Sequence, residues 1–320
     1  MTMKQLAILA GVSVSTVSKA FSGSPEIPEK TKNRIFEIAR RESCFDKYCK
    51  TFFGKKVIAV ICPEFHSGYY AQQLALLRKE IVRCGGEMVA SCYNFEESSK
   101  NDLITYYAAC AKVDGMILLD ASVSESACNV PMVVIGESKN TDSIFLSMEY
   151  AVQDAIEYLI KNGHTDIAFI GETLTKVKLR SFTEAMEKAG LRVRAEFVLE
   201  SRSRFEKAGY DAMNALLALK MPPTAAIAAY DSIALGAMKS IYEHGLTIPE
   251  DMSLIGMDDN RETAYLTVPL TTITSYNEDL CEVAVSLLFD RIRKGDSTKP
   301  KKIHVSTMLV KRQSVGRAKR

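Results

Sequence analysis

The amino-acid sequence predicts an all-α head that contains a helix-turn-helix, followed by an α/β body of two lobes built on parallel sheets. The first observation is a glycine between two short amphipathic helical segments near the start of the chain. The second is that the remaining sequence alternates apolar runs with helical segments of about 10–15 residues. The third is charge: residues 1–56 contain eleven basic and five acidic side chains, whereas the whole chain contains 41 and 39.

The first two helices of the head are predicted by their capping residues. Thr2 and Gln5 have the spacing of a capping box, so a helix can begin at residue 3. Gly11 supplies the left-handed conformation that ends this helix, and Ser13 is a suitable N-cap for a second helix that runs to about Phe21. Two short helices joined by a turn that contains a glycine are typical of the DNA-binding helix-turn-helix.

The second helix leaves short or basic side chains on its exposed face, namely Val14, Ser15, Ser18 and Lys19. Such groups can approach base edges and phosphates, so this helix is the candidate DNA-reading element. A loop rich in Ser, Gly and Pro follows, and a third helix is predicted over 29–41. The alternative is an ordinary helical unit whose basic side chains only keep it soluble.

The body is predicted to contain parallel β-sheets, because apolar runs alternate with amphipathic segments that end at glycines. Strands are predicted over 55–64, 86–94, 113–120, 130–137, 165–172, 195–201, 223–231, 253–259 and 269–275. Helices are predicted over 69–84, 98–111, 149–162, 179–189, 206–220, 232–244 and 279–294. One open sheet rarely holds so many strands, so two lobes are expected. Ligands of such folds bind at the carboxyl ends of the strands, which indicates a site in the cleft between the lobes.

Several classes of protein are disfavoured by what the sequence lacks. It has no apolar run long enough to span a membrane and no signal-peptide layout, so we expect a cytoplasmic protein without a membrane partner. Its eight cysteines form no CxxC and lie at no zinc-site spacing from histidine. Asp258 and Asp259 are adjacent rather than opposed, and no P-loop, GxGxxG or nucleophile elbow occurs. We therefore expect no catalytic residue, cofactor or metal, and no enzyme.

Both parts of the chain resemble the lactose-repressor (LacI-type) family of transcription regulators. The head carries TMKQLAILAGVSVSTVSKAFSGSPEIPEKTKNRI, which looks like the DNA-binding domain of that family. The body carries AIAAYDSIALGAMKSIYEHGLTIPEDMSLIGMDD, together with LIKNGHTDIAFIGE, PLTTI and VSTMLVKRQSVGRA, which resemble its C-terminal lobe. The matches run over nearly the whole chain. The lobes alone would also resemble periplasmic sugar-binding proteins.

The resemblance implies a homodimeric regulator, taken to be a repressor, whose heads bind the two halves of a near-palindromic double-stranded DNA operator. The positions that match DNA-contacting positions are Thr2, Ser13, Val14, Ser15, Thr16, Lys19, Thr31, Asn33 and Phe52. We expect Val14, Ser15 and Lys19 to select the DNA sequence. The expected phosphate contacts come from Ser13, Thr16, Thr31 and Asn33. Val14 either contacts a thymine methyl group or simply packs against the protein.

The segment after the third helix departs from the family pattern. Family members carry a stretch like Y-x-P-N-x-x-A-R-S-L, which folds into a hinge helix on DNA and inserts its Leu into the minor groove. Here the stretch reads SCFDKYCKTFFG, with Phe45 at the Pro position, Asp46 at the Asn position and Phe52 at the Leu position. Phe52 is the candidate wedge, and the alternative is a linker that never inserts.

The resemblance also implies a small-molecule effector, a sugar or sugar derivative, bound between the lobes. The matching positions are Tyr69, Tyr70, Lys178, Tyr230 and Asp258. Asp258 would accept hydrogen bonds from hydroxyl groups, while Tyr69 and Tyr230 would stack on a ring. Sugar-binding members usually carry Arg where Lys178 stands, and Lys is a point charge rather than a bidentate fork. An anionic or phosphorylated ligand is therefore the alternative, and each tyrosine could instead belong to a lobe core.

The same resemblance sets the expected domain limits and one alternative mode of control. It implies a DNA-binding head with hinge over 1–56 and an effector-binding and dimerisation body over 57–320. The first lobe would comprise about 57–143 and 275–301, and the second about 144–274 and 302–320. Some relatives are controlled by a corepressor protein, so a protein partner is the alternative to a metabolite.

Overall fold

A computed structural model of the chain describes residues 1–45, 47–48, 55–111, 113–123, 129–275, 277–295 and 299–319. These residues form two compact units, one of Met1–Val57 with Gly85–Glu87 and one of Ile58–Cys84 with Met88–Arg320. The first unit holds the head and the second holds the body. Within the ranges described, no helix is long and apolar enough to cross a membrane.

The head contains the predicted helices α1 (Met3–Leu9), α2 (Val14–Phe21) and α3 (Glu29–Arg41). The capping box is present, since the Gln5 N–H donates to the Thr2 hydroxyl and the Thr2 N–H donates to the Gln5 side chain at 2.8 Å. Gly11 has a φ of +62°, which permits the turn between α1 and α2.

The core of the head is apolar, and a cluster of four aromatic rings forms part of it. Phe21 is 1% exposed and lies 5.1 Å from the ring of Phe36, 5.8 Å from that of Phe45 and 5.6 Å from that of Tyr48. The Tyr48 hydroxyl also donates to the backbone oxygen of Met1 at 2.8 Å. The start of the segment predicted as a hinge, or alternatively as a plain linker, is therefore part of the packed head.

The body alternates strands and helices. The strands are β1 (Lys56–Cys62), β2 (Gly86–Cys92), β3 (Gly115–Val123), β4 (Met132–Ser138), β5 (Asp142–Ser147), β6 (Ile167–Glu172), β7 (Val198–Ser201), β8 (Ala225–Ala228), β9 (Ser253–Met257), β10 (Thr271–Thr274), β11 (Lys302–Ser306) and β12 (Met308–Val310). The helices are α4 (Gly68–Arg83), α5 (Glu97–Thr105), α6 (Glu149–Lys161), α7 (Lys176–Lys188), α8 (Phe205–Leu217), α9 (Asp231–Glu243) and α10 (Asn277–Lys294).

Two sheets form the two lobes, as predicted. The first has the order β11-β5-β4-β3-β1-β2, and the second has the order β12-β10-β9-β8-β6-β7. In the first sheet β1 pairs with β3, and β3, β4, β5 and β11 pair in succession, all in parallel. The second sheet is parallel except that β12 runs antiparallel to β10. Each sheet has its own apolar core.

The lobe limits expected at 143/144 and 301/302 are wrong by a few residues. Strands β5 and β11 pair over their whole length, from Lys302 with Ser143 to Ser306 with Ser147, and both belong to the first sheet. The chain therefore passes to the second lobe after Ser147, and again after Ser306. These strands were missed because they are short and partly exposed, so that pairing with neighbouring strands defines them. Strand β5 pairs with both β4 and β11, and β11 pairs with β5.

Candidate functional site

A cavity of about 300 Å³ lies between the two lobes of the body, at the carboxyl ends of their strands. The structure brings the five predicted effector residues together in its wall: Tyr69, Tyr70, Lys178, Tyr230 and Asp258. The first two come from the start of α4, and the others follow β6, β8 and β9. The wall also includes Glu64 and Arg204, which sequence reasoning did not single out.

Lys178 is held inside the second lobe by its neighbours. Its Nζ donates to Asp258 Oδ1 at 3.0 Å and to the backbone oxygen of Ala229 at 2.7 Å, and it lies 4.4 Å from the centre of the Tyr230 ring. Burial raises the pKa of the Asp258 carboxyl, although the charge and hydrogen bond of Lys178 act in the opposite direction. The positive charge of Lys178 is therefore already matched by a carboxylate of the protein.

Arg204 makes the second charged contact of the cleft. Its Nη1 and Nη2 donate to the two carboxylate oxygens of Glu64 at 2.5 and 2.9 Å, and its Nε donates to Glu172 Oε1 at 3.0 Å. Burial lowers the pKa of Arg204, but the hydrogen bonds and charges of the two glutamates outweigh it and raise that pKa. Like Lys178, Arg204 is thus paired with carboxylates of the chain.

Aromatic rings supply much of the remaining wall. Tyr69 and Tyr70 meet edge to face with ring centres 5.2 Å apart, and Tyr93 meets Phe95 in a similar way at 6.5 Å. All four line the cavity, together with Tyr230. Burial is the main cause of the raised pKa values of Tyr69 and Tyr230, which therefore stay protonated and can donate hydrogen bonds. Such a wall combines ring faces with hydroxyl groups.

The acidic residues next to the cleft have structural partners. Asp231 is fully buried and accepts hydrogen bonds from the Asn260 N–H at 2.7 Å and the Thr272 hydroxyl at 2.6 Å. Asp259 pairs with Arg312 at 2.6 Å, so Asp258 and Asp259 contact different partners. Within the described ranges no group of His, Cys, Asp and Glu residues could hold a metal ion.

A signal for the missed pair Glu64 and Arg204 existed in the sequence. Glu64 lies at the end of the first predicted strand, and Arg204 lies shortly after the strand predicted over 195–201. Because the carboxyl ends of parallel strands face the ligand cleft, charged residues just beyond each strand are candidates for the site. Their mutual pairing was not predictable, since 140 positions separate them.

The head presents most of the predicted DNA-contacting residues to solvent. Val14 is 44% exposed and lies outside the apolar core of the head, so its side chain is accessible from solvent. The other exposed candidates are Thr2, Ser13, Ser15, Lys19 and Asn33, whereas Thr16 and Thr31 are half-buried. Phe52 lies outside the described residues, as do Asp46 and the hinge positions after Tyr48.

Some of these polar groups also have roles within the head. The Ser13 hydroxyl accepts a hydrogen bond from the Thr16 N–H at 3.0 Å and so caps α2. Lys19 pairs with Glu26 at 2.5 Å, and the hydrogen bond and charge of this lysine lower the pKa of Glu26. Both side chains of this pair are exposed, so the pair is weak and can exchange for a phosphate.

Comparison with known families matches both units of the chain. Residues 2–42 match the family described as bacterial regulatory proteins, lacI family. Residues 156–315, half of the chain, match the periplasmic binding protein-like domain. The HTH-type transcriptional repressor PurR of Glaesserella parasuis is 30% identical over 98% of both chains. The chain belongs to the LacI family. The probable HTH-type transcriptional repressor ExuR of Bacillus subtilis is also similar, at 29% identity over 99% of this chain and 98% of that protein.

Solved structures of LacI-type regulators share the fold of this family member. The lac repressor dimer bound to operator and an anti-inducer has a TM-score of 0.77 at 23% identity, over 99% of both chains. A LacI-family regulator from Enterococcus faecium with bound ribose has a TM-score of 0.72 at 22% identity, over 82% of this chain and all of that one. A complex of the regulator CelR with cellobiose has a TM-score of 0.69 at 23% identity, over 98% and 99%.

The family assignment fixes the general function. This LacI-family protein is a DNA-binding transcriptional repressor with a ligand-binding sensor domain, and it is not an enzyme. The head is the DNA-binding part, and the two-lobed body is the sensor.

Proposed function

We propose that the protein represses transcription as a homodimer whose operator affinity is set by an uncharged ring-shaped metabolite, a sugar or sugar derivative, bound between the lobes. Helix α2 lies in the major groove of each half-site, where Val14, Ser15 and Lys19 contact bases. A dimer places two such helices on a near-palindromic operator. The lac repressor, which has the same fold, is described as a dimer bound to operator.

The charge balance of the cleft carries the proposal of an uncharged ligand. Among the described residues of the cavity wall the cations are Lys178 and Arg204, and each is hydrogen-bonded to a carboxylate of the protein. With Glu64, Glu172 and Asp258 counted, carboxylates outnumber these cations. An anionic ligand would have to displace a buried carboxylate from its partner, which is costly. This argues against the phosphorylated ligand considered from the sequence.

The aromatic wall favours a ring-shaped ligand. Tyr69, Tyr70 and Tyr230 offer ring faces, and Asp258 has a second carboxylate oxygen that can accept a hydroxyl hydrogen. Ribose and cellobiose are the ligands named for two proteins of the same fold, which supports a sugar here. A purine is the second candidate, because relatives carry the name PurR and a planar base would stack on the same rings.

The DNA-reading part of the proposal is tested by selecting bound sequences from a random DNA pool with full-length protein at near-physiological salt. We expect a near-palindrome of two half-sites. Lys19→Ala should weaken binding to that operator and make it less sensitive to salt, because one cation no longer displaces counterions. Lys161→Ala removes the same charge from an exposed site of the body and is the matched control. Equal losses in the two variants would contradict a specific role for Lys19.

The sensing part is tested with the selected operator. Neutral monosaccharides and disaccharides, their phosphate esters and purine bases are screened for a change in operator affinity. The proposal predicts a response to a neutral compound that Asp258→Asn abolishes. A response to phosphate esters alone would overturn the charge argument. A response to none of these compounds, together with one to an added cellular protein, would favour the corepressor protein.

A further inference from the structure

Among the residues that the structure describes, Glu64 and Arg204 form an ion pair that joins the two lobes of the sensor across the cleft. Glu64 follows β1 in the first lobe, and Arg204 precedes α8 in the second. The two nitrogens at the end of the Arg204 side chain each bind one oxygen of the Glu64 carboxylate, at 2.5 and 2.9 Å. This bidentate geometry is the strong form of an ion pair, because two charge-assisted hydrogen bonds share one fixed fork. Separation of the lobes breaks both bonds.

Glu172 anchors Arg204 to the second lobe. Its Oε1 accepts from Arg204 Nε at 3.0 Å, and the residue is only 1% exposed. Its Oε2 is buried and has no hydrogen-bond partner among the residues described. Arg204 thus supplies the countercharge that this buried carboxylate needs, and removing it would leave an uncompensated buried charge. When the lobes separate, Arg204 stays with Glu172, so the contact that opens is the one with Glu64.

Rings from both lobes enclose the guanidinium group. Its central carbon lies 4.3 Å from the ring centre of Phe205 in the second lobe and 5.2 Å from that of Phe95 in the first. Both distances are within the range of cation–π attraction. The rings reduce access of water to the pair, although a third of the Arg204 side chain remains exposed. The pair is therefore stronger than an ordinary surface salt bridge.

The lobes also fit closely at a second point. A Cβ atom placed on Gly68, at the start of α4, would come within 3.0 Å of the Asn260 side-chain oxygen. Gly68 belongs to the first lobe and Asn260 to the second. The two lobes therefore approach each other closely enough that a side chain larger than hydrogen would press on the contact.

We propose that Glu64 and Arg204 form a latch that holds the two lobes together independently of the effector. The latch consists of protein atoms only, so it contributes to closure whether or not a ligand is bound. It sets how often the cleft opens for an effector to enter or leave. This inference rests on the proposed function only in treating the cleft as the effector site.

The latch is tested by hydrogen exchange, followed by mass spectrometry, on the full-length protein without any added ligand or DNA. Glu64→Gln keeps the size of the side chain and removes its charge. We expect amides over 64–70 and 204–210 to exchange about tenfold faster or more, because a hydrogen-bonded charge contact of this kind is lost. Glu96→Gln makes the same change at an exposed site of the same lobe. The cleft amides of this control variant should exchange at the wild-type rate.

Two further readings decide whether the effect is local. Strands β8 and β9 form the core of the second lobe, and their amides should exchange at the wild-type rate in Glu64→Gln. Should those amides also exchange faster, Arg204→Lys is the deciding variant, because it keeps the charge but loses the fork. An increase confined to the cleft segments in that variant supports the latch. Wild-type exchange in the cleft segments of Glu64→Gln, or an increase in Arg204→Lys that is not confined to them, overturns it. Since neither ligand nor operator is used, failure of the latch leaves the proposed function intact.

Discussion

Helices α8 and α9 cross at Gly209 and Gly236, where a Cβ atom would come closer to neighbouring backbone than at any other described glycine. Alanine at this crossing should therefore destabilise the protein, although alanine usually stabilises a helix relative to glycine. A Cβ atom on Gly209 would lie 1.8 Å from the backbone oxygen of Ile233, and one on Gly236 would lie 1.8 Å from that of Glu206. Ordinary contact begins at 3.4 Å, so Gly209→Ala requires the helices to separate by about 1.6 Å.

The expected loss of stability follows from the clash between the new methyl group of Gly209→Ala and the backbone of α9. Overpacking in a core typically costs about 1–3 kcal/mol, and here the obstacle is backbone rather than a flexible side chain. We therefore expect a loss of about 3 kcal/mol from Gly209→Ala. For a body of this size that corresponds to a fall of roughly 6–12 °C in Tm. The helices begin directly after Arg204 and Tyr230, so the cleft should be disturbed as well.

Thermal unfolding of the full-length protein, followed by circular dichroism, measures this effect. Lys207→Ala is the matched control, because Lys207 is an exposed residue two positions earlier in the same helix and its pair with Asp211 is worth less than about 0.5 kcal/mol. Helix propensity alone would make Gly209→Ala more stable than the wild type by up to about 1 kcal/mol. A variant as stable as the wild type, or more stable, would refute the steric reasoning.

Three further substitutions test the head core, the ion pair in the cleft and the pH dependence of stability. Phe21→Ala should cost about 3–5 kcal/mol, more than so small a head can lose. Operator binding in a gel-shift assay should then vanish while the thermal transition of the body persists, and retained binding would contradict this. Lys178→Met leaves Asp258 buried without its countercharge, so we expect a loss of about 3 kcal/mol in thermal unfolding, and an unchanged Tm would contradict the pairing. Burial lowers the pKa of His164, so the unfolded chain takes up this proton first as the pH falls below about 6.5, and stability is lost with falling pH. His164→Gln should reduce the fall in Tm between pH 7.5 and 5.5, and an equal fall in both proteins would rule out this histidine as its source.

The elements with strong local signals were predictable from the sequence. The capping residues Thr2 and Ser13 placed α1 and α2 correctly, and α3 was predicted with its observed limits. Such signals act within four residues, so they can be read without knowledge of the rest of the chain. The long apolar runs of the body were equally clear, since a strand buried on both faces needs them.

The elements defined by distant partners were not predictable. Strand β11 alternates exposed and half-buried residues, and it is a strand because it pairs with β5, about 160 positions earlier. One contact of the cleft also depends on residues that are distant in sequence. Tyr69 and Asp258 were assigned through the resemblance, but the contact between Glu64 and Arg204 depends on two loops that only the folded lobes bring together.

Control of operator binding by an effector is tested most directly by measuring the affinity of the effector for the protein with and without the selected operator. If one chain couples DNA binding to ligand binding, the operator must change effector affinity by the same factor by which the effector changes operator affinity. Titration calorimetry on the free and operator-bound protein measures the first factor, and a gel-shift titration measures the second. Coupling between the two sites predicts that both factors are equal and differ from one. Effector affinity that is the same on and off the operator would contradict it.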